Sequence, residues 1–177
     1  MKKILVSAAL AAILGTAAFS ASAVDGTITI SGNINASTCK INGANSPAAI
    51  AVTLPTVSTT SLNAAGAVAG RTPFSIALTG CGSLTKATTF FEPGPTVMAD
   101  GNLKNATGTA TGVEVQLLNG ADFSAITLNS ASGAQNSTQA TLSGGTGTLS
   151  YYAQYFATAA AGAGTVATNV QFTMLYQ

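Results

Sequence analysis

Cys39 and Cys81 are the two residues whose type and number first suggest chemistry, since the chain contains no other cysteine and no histidine. Their wide separation and the missing histidines disfavour a redox pair or a metal site. Two cysteines in an exported chain favour a disulfide, and only one pairing is possible. Closing that loop stabilises the fold by about 4 kcal/mol in the chain-entropy model.

Catalytic motifs are missing from the sequence. Without histidine, Ser-His-Asp and Cys-His catalysis are excluded. The five acidic residues are scattered, so none forms a pair spaced for glycoside hydrolysis or Ca²⁺ binding. The nearest approach to a Ca²⁺ loop, Asp100-Gly101-Asn102, lacks further acidic ligands and is predicted to be a hairpin turn. We expect a protein that is not an enzyme and that binds no cofactor or metal.

The first residues predict export. Met1-Lys2-Lys3 is followed by an uncharged apolar run from Ile4 to Phe19, and small residues precede Val24. This is the pattern of a signal peptide, residues 1–23, cleaved after Ala23, because the apolar run is shorter than the roughly 20 residues of a membrane span. No later apolar stretch reaches that length, so we expect no membrane insertion.

The charge that remains after residue 23 is sparse and nearly balanced. Its basic residues are Lys40, Arg71, Lys86 and Lys104. Nucleic-acid binding needs several phosphate contacts from a basic surface, which this composition does not offer. We therefore expect no nucleic-acid partner.

The elements that must position these residues are predicted to be β-strands. Short alternating stretches are separated by turn signals such as Asn42-Gly43, Asp100-Gly101, Asn119-Gly120 and Gly144-Gly145. The alanine- and glycine-rich stretches 63–70 and 158–164 are predicted to be loops. The clearest predicted strands are residues 27–31, 74–78, 112–118, 149–157 and 169–177. The last of these ends at the final residue, so no later segment can cover its edge.

The sequence resembles the pilins of chaperone-usher fimbriae, in particular type 1 fimbrial major subunits. The similarity rests on the region around Cys39, the stretch Arg71 to Cys81, the Gly112-Val113 strand, the strand Tyr151 to Tyr155, and the ending Phe172-Thr173-Met174-Leu175-Tyr176-Gln177. It covers the chain after the leader from end to end, in order.

The resemblance implies an all-β, incomplete immunoglobulin-like sandwich that lacks its last strand, so a groove stays open until another chain fills it. A periplasmic chaperone lends a strand first, and at the outer-membrane usher the N-terminal arm of the next subunit replaces it. This exchange is β-strand addition. The implied product is a cell-surface fimbrium built from copies of the chain, and adhesion is a property of that assembly.

The resemblance also assigns residues. The donor arm is residues 24–36, and the pilin domain is residues 37–177. Within the arm, Ile28, Ile30 and Ile34 face the acceptor groove, and Gly32 lies where the groove is shallow. On the acceptor side, Gly164 matches the glycine of the family's C-terminal signature, and the groove residues are Val170, Phe172, Met174 and Tyr176.

Three alternatives remain open from sequence. A minor adaptor pilin shares the length, the disulfide and both exchange elements. A carbohydrate-binding adhesin module is disfavoured because the chain has no tryptophan and no room for a further lectin domain. A small outer-membrane barrel fits export and alternation but lacks the expected aromatic girdles.

Overall fold

The structure of the protein is a computed structural model, and it describes residues 29, 31 and 39–177. Residues 35–177 group into one unit, to which every strand below belongs. The strands are β1 Lys40–Ile41, β2 Val68–Thr79, β3 Lys86–Phe91, β4 Leu103–Lys104, β5 Val113–Asn119, β6 Gln139–Thr141, β7 Gly147–Ala157 and β8 Phe172–Tyr176. A 3₁₀-helix spans Thr59–Leu62. In this part of the chain no helix is long and apolar enough to cross a membrane.

Two antiparallel sheets pack face to face. The larger sheet has the strand order β1-β2-β7-β5-β4, and the smaller has the order β6-β3-β8. Alternate residues of the strands point between the sheets, and Tyr151 of β7 is fully buried there. Its ring contacts Phe74 and Phe91 at centroid distances of 5.5 Å each, so it joins both layers. The all-β sandwich predicted from the alternation is confirmed.

The predicted disulfide is confirmed: Cys39 and Cys81 are bonded and buried. Cys39 immediately precedes β1, and Cys81 lies two residues after the end of β2. Because β1 is only two residues long, it has few ladder hydrogen bonds of its own. The covalent bond therefore fixes the start of the domain to the end of its longest strand.

The prediction of a loop over residues 63–70 is wrong at its C-terminal end, because β2 begins at Val68. Val68 and Ala69 pair with Phe156 and Tyr155 of β7, so cross-strand pairing, and not local composition, gives these two residues an extended conformation. A β-bulge follows and accommodates Gly70, which has a φ of +66°. The other predicted loop, 158–164, contains no strand, and the four predicted turn signals all lie at turns or strand ends.

Four of the predicted strands lie where the structure describes strands, namely residues 74–78, 112–118, 149–157 and the last one. The last is shorter than predicted, beginning at Phe172. β3, at the centre of the smaller sheet, was not predicted because its sequence, Lys-Ala-Thr-Thr-Phe-Phe, shows neither an alternation of apolar and polar residues nor a run of aliphatics. The predicted strand 27–31 lies outside the described residues except for Thr29 and Ser31.

Candidate functional site

An open groove runs beside β8, and residues 166–176 form its first wall. Every second side chain of this segment lies half-buried and lines the groove, while most of the residues between them are exposed. The inward row is Val166, Thr168, Val170, Phe172, Met174 and Tyr176. β8 pairs with β3 on one side, and its other side carries no strand among the described residues.

The odd-numbered residues along this wall form hydrogen bonds with the rest of the domain through their backbone groups. The Ala167 N–H donates to Asn105 Oδ1, and the Ala167 carbonyl accepts from the Ala106 N–H, both at 2.9 Å. Further along, the Gln171 carbonyl accepts from the Glu92 N–H at 2.8 Å. At the end, Gln177 and Lys86 exchange two hydrogen bonds of 3.0 and 3.1 Å.

The even-numbered residues therefore present their backbone groups to the open edge. In an antiparallel ladder the hydrogen-bonded positions alternate, so Phe172, Met174 and Tyr176 occupy the positions that do not bond to β3. Since β8 is an edge strand, their N–H and C=O groups face no other strand in the described part of the chain, and no turn or loop bonds to them there. Residues 166–176 thus form a free strand edge about 33 Å long.

Residues 47–54 form a second wall of the groove, and they too resemble a strand without a partner. Ala48, Ile50, Val52 and Leu54 are half-buried, and each residue between them is exposed, which is the period of two of an extended chain. Within the described residues this segment makes no backbone hydrogen bond of the kind that joins strands. The groove is thus bordered by two unpaired extended segments.

The floor of the groove is the apolar core itself. It is built by inward side chains of both sheets, namely Phe74, Ile76, Phe91, Leu103, Val115, Leu117, Ala153 and Tyr155. The groove has a volume of about 1620 Å³. That exceeds the 300–1,000 Å³ typical of small-molecule sites, so its size suits a polypeptide segment better than a small ligand.

The chemistry of the groove is apolar. Glu92 is the one charged residue among its described lining residues, and it accepts a hydrogen bond of 2.6 Å from the Thr173 hydroxyl. Burial raises the pKa of Tyr155 and of Tyr176, although the Tyr176 hydroxyl also bonds the backbone of Cys39, which opposes the shift. Both phenols are therefore neutral at ordinary pH. In the described chain no three His, Cys, Asp or Glu residues gather to hold a metal.

The predicted acceptor residues Val170, Phe172, Met174 and Tyr176 all line this groove. Gly164 does not line it and instead lies where the first wall begins. A Cβ at this position would collide with the backbone N of Ala110 and with the Thr109 hydroxyl, so glycine permits the close approach. The predicted donor residues Ile28, Ile30, Gly32 and Ile34 lie outside the described residues.

Sequence reasoning missed the second wall and most of the floor. The signal for the wall was present, because apolar residues recur at positions 48, 50, 52 and 54. Pro47 and Pro55 flank this stretch, and proline is usually a sign against a central strand. Proline is compatible with this segment because no neighbouring strand accepts hydrogen bonds from its N–H groups.

A two-sheet antiparallel sandwich with a strand-shaped apolar gap beside its last strand defines the class of the protein: it is an incomplete immunoglobulin-like domain of the pilin type. The fold is similar to that of the P pilus rod subunit PapA, with a TM-score of 0.60 over 78% of this chain and 99% of that one, at 19% identity.

The family follows from sequence comparison. The model described as FimA, type-1 fimbrial protein A, matches residues 54–177. The major fimbrial subunit SMF-1 of Stenotrophomonas maltophilia is 43% identical over 93% of this chain and 99% of its own length. The F17 fimbrial protein of Escherichia coli is 39% identical over 93% and 95%. The chain belongs to the type-1 fimbrial protein family and is a structural subunit of a fimbria, a surface polymer of such subunits.

Proposed function

We propose that the subunit polymerises by donor-strand exchange, in which residues 24–36 of one copy fill the groove of the next. The observation that carries this proposal is the pair of unpaired extended walls, residues 47–54 and 166–176, which line one groove with an apolar floor. An extended segment laid between them completes the hydrogen bonding of the free edge and covers the floor at once.

The arm has the sequence that such a groove requires. Ile28, Ile30 and Ile34 share one face of an extended chain, and Gly32 shares their parity. The intervening Thr29 and Ser31, which the structure describes, are exposed. Burying each isoleucine contributes roughly 1.5 to 3 kcal/mol, so three of them support a long-lived junction.

Domain organisation follows from this proposal. Residues 1–23 are a signal peptide that directs the chain to the periplasm, residues 24–36 are the donor arm, and residues 37–177 are the pilin domain. An exposed groove of this size is an aggregation hazard, because unpaired strand edges and apolar surface promote association. A periplasmic chaperone therefore fills the groove during transit, and an outer-membrane usher exchanges the chaperone strand for the arm. The role proposed for the chain is that of the major shaft subunit.

Deleting residues 24–36 after the leader tests the exchange. The truncated subunit keeps the groove and loses the arm, so we expect it to be found folded and bound to the chaperone, and to end fibres without extending them. A matched control replaces Thr27, Thr29 and Ser31 by other polar residues and leaves the isoleucine face unchanged; it should polymerise normally. Normal fibres from the deletion would refute the assignment of the arm.

A further inference from the structure

A β-bulge places a cation on the outer face of the larger sheet, on the side away from the core. Ala69 pairs with Tyr155 and Thr72 with Ala153, so Gly70 and Arg71 together lie opposite Gln154. Such a bulge re-aims the side chain of the bulged strand. The Arg71 Nε–H donates to Gln154 Oε1 at 2.9 Å. Gln154 is only 4% exposed, and its amide nitrogen donates to Gln116 Oε1 at 2.9 Å, so the guanidinium is held by a buried amide that is itself fixed by a second glutamine.

An exposed aromatic ring lies beneath this guanidinium. The Arg71 Cζ is 4.6 Å from the centroid of the Phe123 ring, which in turn contacts Tyr152 at 5.1 Å. Phe123 is 45% exposed and has a φ of +59°, which is uncommon for a bulky residue. Its N–H donates to the Asn119 carbonyl at 3.1 Å, so the turn after β5 fixes the ring in this place.

The residue that precedes Phe123 in the chain carries a carboxylate. Asp122 precedes Phe123, and its Oδ1 accepts from the Ser124 N–H at 3.0 Å and from the Ser124 hydroxyl at 2.7 Å. These bonds lower the pKa of Asp122, so the group is charged at neutral pH. Its second oxygen accepts no hydrogen bond within the described residues, and there the outer nitrogens of Arg71 likewise have no partner.

These groups form one surface patch, which displays a fixed guanidinium edge, an exposed ring and a free carboxylate. We name it the Arg71–Asp122 patch, and it consists of Arg71, Asp122, Phe123 and Tyr152. We propose that this patch binds the same patch of a second copy of the chain in a neighbouring fibre, with Arg71 of each copy bonding Asp122 of the other. Arginine and carboxylate form planar paired hydrogen bonds, and aromatic residues and arginine are enriched at interfaces.

The symmetry of the contact determines what it joins. A patch that carries both charges is complementary to itself under a two-fold rotation, and such a contact closes after two copies. Strand donation runs head to tail and lengthens one fibre, whereas a two-fold contact cannot extend it. The Arg71–Asp122 patch therefore pairs fibres side by side. Because the charges are exposed, the pairing weakens as salt increases.

Electron microscopy of purified fibres of the full-length protein tests this inference. Fibres of the parent, Arg71→Glu, Asp122→Arg and the double exchange Arg71→Glu/Asp122→Arg are scored as single or laterally paired at about 20 mM and about 500 mM salt, where screening differs strongly. Lys86→Glu, which reverses an exposed charge on the smaller sheet, is the control. Arg71→Gln serves as the milder variant if charge reversal impairs assembly.

We expect paired parent fibres at low salt, roughly tenfold fewer pairs in each single variant because like charges then meet, and pairs restored by the double exchange. The Lys86→Glu fibres should pair like the parent. Single parent fibres at low salt, a double exchange that stays single, or an equal loss in Lys86→Glu would each overturn the inference. Fibre formation itself reports on strand donation, so failure of that proposal is seen separately.

Discussion

Phe172 of β8 lies directly opposite Phe91 of β3, at a position of the ladder that carries no hydrogen bond. Its side chain contributes to the groove, and its backbone N–H and C=O point away from β3. The same holds for Met174 and Tyr176, so one face of the last strand supplies apolar contacts while its free edge supplies hydrogen bonds. This coincidence makes the groove an acceptor for a strand.

Val170→Pro tests the free edge. Val170 has the parity of the free positions, so the substitution removes an N–H directed at the groove and not at the domain. We expect fibres whose junctions dissociate at a lower temperature in detergent, with the free energy of unfolding of the unpolymerised subunit changed by less than about 1 kcal/mol.

The matched control is Thr173→Pro, which removes an N–H from the ladder with Phe90. It should destabilise the domain itself, as measured by urea unfolding. If Val170→Pro unfolds the subunit as Thr173→Pro does, the assignment of the free edge is wrong.

Ile50→Asp tests the second wall. Ile50 is half-buried and lines the groove, so an aspartate there would place a charge against the apolar occupant. We expect fibre formation, counted by electron microscopy, to be nearly abolished. Ala49→Asp introduces the same charge at an exposed residue of the opposite parity and should polymerise like the parent. Equal effects of the two substitutions would argue against the parity of residues 47–54.

Cys39→Ser and Cys81→Ser test the disulfide. Either change frees the start of the domain from the end of β2, and loss of a native disulfide from a small domain typically costs 2–5 kcal/mol. Urea unfolding should show a loss in that range, and the periplasmic yield should fall. Equal yield and stability in parent and variant would show that the bond is dispensable.

Glu114 predicts a dependence of stability on pH. Burial raises the pKa of Glu114, and the neighbouring Asp100 raises it further. Burial also acts to raise the pKa of Asp100, but hydrogen bonds with Asn102 and Glu114 together outweigh it and lower the pKa. Lys104 lies opposite Glu114 across the strand pair, yet one Glu114 oxygen has no partner in the described chain.

The folded state therefore holds the Glu114 proton more tightly than the unfolded state does. Its contribution to stability is complete below the unfolded pKa of about 4.5 and is lost as pH rises through the higher folded value. The melting temperature should therefore decline between pH 4 and pH 7, and Glu114→Gln should reduce this decline when the two proteins are compared in one set of thermal scans. The same decline in parent and variant would assign it to other groups.

The alternation of apolar residues predicted the sandwich and the inward row of the last strand, because both depend on local period. The disulfide was predicted separately, because an exported chain with two cysteines allows a single pairing. The second wall escaped prediction because residues 47–54 alternate like a strand while prolines flank them. β3 escaped because its small inward residues, Ala87 and Thr89, are buried by partners distant in sequence. The Arg71–Asp122 patch depends on a bulge, whose position is set by cross-strand register and not by any local motif.

The most direct test of the central claim is to fuse an extra copy of residues 24–36 after Gln177 through a short linker. Because β8 ends at Tyr176, the added segment can turn back along the free edge and fill the groove of its own subunit. Size exclusion and electron microscopy should then show a soluble monomer, while the same fusion with Ile28, Ile30 and Ile34 of the added copy changed to serine forms fibres like the parent. Fibres from the intact fusion, in the amount that the parent forms, would contradict the account.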